Sequence, residues 1–171
     1  MAQNTLAVEK HQAGAEYLAA LRTLGLDPEA LFWARDTVVD EDVLILVTSL
    51  FDFAGPLELS ELLFRAYNLA ATPREVDPFI LRMHSPRHTA IQEMARHFGD
   101  GTRIKLPIRM TLVKPVPGVH EIRLASLSMG ADVTAYADAV YKFDLSEQTR
   151  TSVEASRRWR RFQKHVDKLA A

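Results

Sequence analysis

The chain has 171 residues, 47% hydrophobic and 25% charged, as in an ordinary globular domain, and two domains of half this size would each lack an adequate core. It contains no cysteine, which excludes a disulfide framework, a thiolate zinc site, an iron–sulfur cluster and a cysteine nucleophile. The net charge of −1 hides a segregation: residues 149–171 hold seven Lys or Arg against Glu154 and Asp167, a balance of +5, so the remaining chain carries −6.

At the N-terminus, Glu9, Lys10 and His11 interrupt any apolar core that a secretion signal would need. The longest apolar run, 43–50, is less than half of the roughly 20 residues that cross a bilayer. These features predict a soluble, cytoplasmic protein without a membrane partner.

The first element is a helix over 6–24, since Ala13, Tyr17, Leu21 and Leu24 recur at helical spacing and Gly25 stands where a left-handed cap falls. Residues 31–39 are compatible with helix or strand: Asp27 and Pro28 resemble a helix start, whereas Phe32, Trp33, Thr37, Val38 and Val39 favour a strand. Residues 43–53 read as a strand covered on both faces, entered from Asp40-Glu41-Asp42 and ended by Gly55-Pro56. After Pro56, Leu59, Leu62, Leu63, Ala66 and Ala70 line one face of a helix.

Thr72 and Glu75 match a capping box, cut short by Pro78, and 79–83 reads as a short strand. Ser85-Pro86 then starts a helix that carries Ile91, Met94, Ala95 and Phe98 and ends at Gly99. From residue 104 the period changes to two, and three strands over 104–112, 120–129 and 133–143 form an antiparallel meander. On the last of them Ala135, Ala137 and Ala139 alternate with other residues, which predicts a shared face with unusual room, for either a closely approaching helix or a small cavity. The expected fold is a single α+β domain over 1–171: a mostly antiparallel sheet, made of the meander and one or two N-terminal strands, flanked by about four helices.

The last helix, within 149–171, carries the main candidate surface. Ala155, Trp159, Phe162, Val166 and Leu169 form an apolar stripe, and Arg157, Arg158, Arg160, Arg161, Lys164 and Lys168 occupy the flanks and outer face. The stripe suits docking on the chain's own core, and Trp159 and Phe162 among arginines also suit a partner. Phosphate binding by the arginines is the alternative, although a pI near 6.6 is far below that of typical nucleic-acid modules.

The other candidates are weaker. Asp52 and Glu58 bracket the exit of the central strand, where ligands bind in many open sheets. Arg87 and His88, in the first turn of a helix, could hold an anion. His84, His88 and His97 lack a zinc spacing, and Ser85 beside His84 suits a cap better than a nucleophile. No cofactor or metal site and no catalytic constellation is expected.

The sequence therefore points first to a non-enzymatic module that binds a protein partner or a second copy of itself. Nucleic-acid binding by the last helix is one alternative. The other is a small-molecule or enzymatic site near Asp52 and Glu58 or near Ala135, Ala137 and Ala139.

Overall fold

The computed structural model describes residues 6–97, 122–124, 133–147 and 151–171. Helix α1, Val8–Thr23, buries Ala13, Gly14, Tyr17, Leu18 and Leu21. It ends as its sequence predicts: Gly25 adopts φ +84°, and the Leu26 N–H returns to the Leu21 carbonyl at 2.9 Å.

Strand β1, Ala30–Asp36, settles the ambiguous stretch as a strand, and Val38 and Val39 project from the turn that follows. The Asp36 carboxylate shapes that turn by accepting the N–H groups of Val38 and Val39. The chain returns as β2, Glu41–Val47, antiparallel to β1 with Phe32 opposite Ile45. β2 stops earlier than the expected strand over 43–53, because the Thr48 hydroxyl accepts the Leu50 N–H and the Thr48 carbonyl accepts that of Phe51. Those bonds open α2, Leu50–Ala54, which passes through Gly55 into α3, Pro56–Asn68. The apolar face of α3 is the predicted one as far as Ala66, with Leu59, Leu62, Leu63 and Ala66 buried, but Ala70 lies past the helix end, exposed and at φ 56°.

Residues 72–75 form a turn and no helix. Thr72 caps nothing, and Asp77 instead accepts the Phe79 N–H at 2.8 Å, opening a 3-10 turn over Pro78–Ile80. Strand β3, Leu81–His84, follows and lies parallel to β2. Helix α4, Thr89–His97, starts later than Ser85 suggests, because residues 85–88 make a separate turn first.

Strands β4, Ile122–Leu124, and β5, Val133–Phe143, pair antiparallel, and β5 also pairs antiparallel with β1. The expected strand over 104–112 lies outside the described residues. The sheet order is β3-β2-β1-β5-β4. It is a mixed sheet, which corrects the mostly antiparallel one expected. The parallel edge arises because β3 follows a helical crossover, and a crossover returns a strand in the same direction.

Each central strand feeds two cores. Leu31, Trp33, Leu44 and Leu46 pack against α1, α2, α3 and α5, the last of these Ser152–Leu169. Ala30, Phe32, Ala34, Val43, Ile45 and Val47 pack against Ala90, Ile91 and Met94 of α4. The described residues thus form one α+β domain.

Strand β5 departs from strict alternation. Ala34 pairs with Ala135 but Phe32 pairs with Val140, so β5 inserts an odd number of extra residues and its faces exchange. The bulge brings the Tyr136 hydroxyl to Asp42 at 2.7 Å, and Lys10 of α1 reaches the same carboxylate at 2.6 Å. Burial alone would raise the Asp42 pKa, and the hydrogen bonds from Lys10, Tyr136 and Arg35 reverse this and hold it below the usual carboxylate value.

Candidate functional site

Helix α5 forms because Thr151 caps it, accepting the Glu154 N–H at 3.2 Å, and because its apolar residues recur every three or four positions. Ala155, Phe162 and Val166 are buried, and Trp159 is partly buried with its ring 6.2 Å from that of Phe162. The chain's own core therefore covers the stripe as far as Val166, and Leu169 at its end is exposed. Trp159 and Phe162, both candidate partner contacts, belong to the helix's internal face.

Arg158 is also internal. Its Nη1 donates to Glu29 Oε1 at 2.8 Å and its Nη2 to the Asp27 carbonyl at 2.7 Å. Glu29 is fully buried and also accepts the Ser49 N–H at 3.1 Å and the Ser49 hydroxyl at 2.5 Å. A buried carboxylate needs such neutralisation, so Arg158 fastens α5 to the β1 entry and the β2 exit. Glu29 carries no local sequence signal for this role. Its acid side chain lies 129 residues from the arginine that neutralises it.

The other cations of α5 are exposed: Arg157, Arg160, Arg161, Lys164 and Lys168. At 100° per residue they fall within an arc of about 100°, opposite the buried stripe, and cover about 16 Å of helix. Among the described residues none of the five has an acidic partner. Arg22, Arg35, Arg65 and Lys142, by contrast, pair with Asp27, Asp40 and Asp42, Asp167, and Asp27. Asp167, one of two acids in α5, is thus taken by Arg65, and Glu154 stands in the first turn ahead of the stripe. The Arg161 stem lies over Gly25, where a Cβ would meet its Cγ at 2.9 Å, so its guanidinium is carried outward from a packed base.

A second polar cluster lies where β2 and β3 end side by side. The Thr48 N–H donates to the His84 carbonyl at 3.1 Å, which joins the two exits. Ser85 donates its hydroxyl proton to Asp52 Oδ2 at 2.7 Å and accepts the Arg87 N–H at 3.0 Å. His88 Nδ1 accepts the Ala90 N–H at 3.3 Å, so His88 caps α4. Asp52 and the Arg87–His88 pair, which are far apart in sequence, are therefore drawn into one turn by the parallel strands. Glu58 is separate: it stands in the first turn of α3 with its carboxylate folded towards Gly55.

The alanines do not share a face. Ala135 belongs to the α4-side core, Ala139 to the opposite core, and Ala137 is exposed, because the β5 bulge breaks the alternation. Among the described residues no group of three His, Asp or Glu is arranged to hold a metal ion, and no helix is long and apolar enough to cross a membrane. No protein-family model, curated protein or solved structure matches the chain.

Proposed function

We propose that the chain is a nucleic-acid-binding module that contacts phosphates through the outer face of α5. The observation that carries this reading is the row of Arg157, Arg160, Arg161, Lys164 and Lys168, exposed along one arc without acidic partners among the described residues. Five aligned cations neutralise successive phosphates and release the counterions condensed on them, and this local field acts even in a protein of pI near 6.6.

The same face holds no asparagine, glutamine or acid to read adenine or cytosine, so its arginines and lysines have guanine as their one base partner and phosphate everywhere. Gln163 is the one side-chain amide of the helix, and Trp159 is engaged with Phe162. Contacts of this kind position a protein on the backbone without specifying sequence. Binding should therefore depend only weakly on sequence, with guanine the one preferred base. An acidic protein surface is the competing partner, which the exposed cations also suit, whereas the apolar stripe is already occupied by the core as far as Val166.

Fluorescence anisotropy with a labelled duplex tests the proposal. Affinity should fall steeply with salt, with a log–log slope of about −4.5 if all five cations engage. Replacing Arg157, Arg160, Arg161 and Lys164 by glutamine should abolish binding and leave the circular dichroism unchanged, since each is exposed. No binding at low salt, or equal binding by the glutamine variant, would overturn the proposal. Binding of polyglutamate but not of nucleic acid would favour the acidic protein.

A further inference from the structure

Helix α3 has an outer face that the core leaves uncovered. At 100° per residue Leu57, Glu61, Phe64 and Asn68 fall within an arc of about 60°, opposite the buried Leu59, Leu62, Leu63 and Ala66. Leu57 is 66% exposed, and the Phe64 ring meets that of Phe79 edge-on at 5.1 Å, which leaves Phe79 76% exposed. Apolar groups gathered in this way mark contact surfaces. Their border is acidic. Glu58 and Glu61 are exposed, and among the described residues neither has a basic partner. The local cations are engaged elsewhere: Arg65 of α3 pairs with Asp167 at 2.7 Å, and Arg74 lies over the Tyr67 ring at 4.9 Å.

The Arg65–Asp167 pair also fixes where this face stands relative to the basic one. α3 and α5 lie in one layer on the same side of the sheet, since Leu59 and Leu63 share a buried cluster with Phe162 and Val166. Their outer faces therefore open in the same direction, with the ion pair as the seam between them. Glu58 shares the flank of Arg65, and Arg160 that of Asp167, each seven residues away. One surface thus presents, in order, apolar groups, acids, the seam and the cations of α5.

We infer that two copies of the chain associate face to face about this seam, the acids of each α3 meeting the cations of the other copy's α5. A two-fold axis along the seam exchanges the acidic and basic sides, so both contacts form at once and the assembly closes as a dimer. The exposed Leu57 and Phe79 then receive the stems and guanidinium planes of the opposing arginines, which pack well on aromatic rings. The inference rests on the reading of the α5 arc as a surface for anionic partners, and on that arc the second copy and a nucleic acid exclude each other.

Sedimentation velocity of the full chain at low salt tests this. Wild type should be a dimer that dissociates as salt is added. Glu58→Lys with Glu61→Lys, and separately Arg160→Glu with Lys164→Glu, should each weaken the dimer by at least about tenfold, since like charges then face one another. All four positions are exposed, so circular dichroism should stay unchanged. An equimolar mixture of the two variants should restore dimers, because acids again meet cations at both contacts, a result that loss of fold cannot imitate. The α3 variant keeps its arc and should bind the labelled duplex as a monomer. Duplex binding by a wild type that is monomeric at low salt would therefore overturn the dimer alone, whereas a dimer without duplex binding would support it and remove the nucleic-acid reading. Open-ended assembly, or a mixture of variants that stays monomeric, would also overturn the inference.

Discussion

His84 and His88 are four residues apart with rings in contact, yet only His84 is enclosed. The difference sets a pH dependence whose sign can be worked out. In the unfolded chain His84 takes up a proton near pH 6.5, whereas in the folded chain it does so only near pH 4. Between these values the unfolded state binds more protons, so stability falls as pH drops through the window and the loss is complete below pH 4. The full difference is about 3 kcal/mol. His84→Phe removes the titrating group, so its stability relative to wild type should be constant above pH 6.5 and improve by up to that amount towards pH 4. Urea denaturation at several pH values measures both curves, and parallel curves would show that burial does not govern this histidine.

At the scale of elements, α5 is secured by packing and by one buried ion pair. Arg158 is 19% exposed and Glu29 fully buried, so removing the arginine leaves an uncompensated carboxylate in the interior. Arg158→Met should cost about 3 kcal/mol or more, whereas Arg160→Met, at an exposed position, should stay within about 0.5 kcal/mol. Adding Glu29→Gln to Arg158→Met should recover most of the loss, since the amide oxygen still serves Ser49 and no charge remains. Equal denaturation midpoints for the two single variants would refute the role assigned to Arg158. In sequence, the stripe of Ala155, Phe162 and Val166 was readable, because a 3.6-residue period is a local signal, and so was the face of α3. The role of Arg158 was not, because its acid partner is distant in the chain. The break in β5 was equally hidden, since alternation through Ala135, Ala137 and Ala139 continues past a bulge that only pairing with β1 reveals. Asp52 and Arg87 were each visible as candidates, but their meeting depends on the parallel pairing of β2 and β3, which leaves no mark within either segment.

For the molecule as a whole, the segregated charge invites a picture of an acidic body with a detachable basic tail. The packing contradicts it. Phe162 and Val166 belong to the same buried cluster as Leu21, Trp33 and Leu59, and Ala155 is also buried. A chain ending at residue 150 would expose that cluster and also strand Glu29 without Arg158. Losing Phe162 alone is worth about 3–5 kcal/mol, a large part of the stability of a domain this size. Residues 1–150 alone should therefore give no cooperative thermal transition, and a synthetic peptide of residues 151–171 should restore one in trans. A sharp transition of the truncated chain without the peptide would mean that α5 is an appendage. If the peptide is needed, binding and folding share one helix, truncation destroys both together, and only charge substitutions on the outer arc separate them.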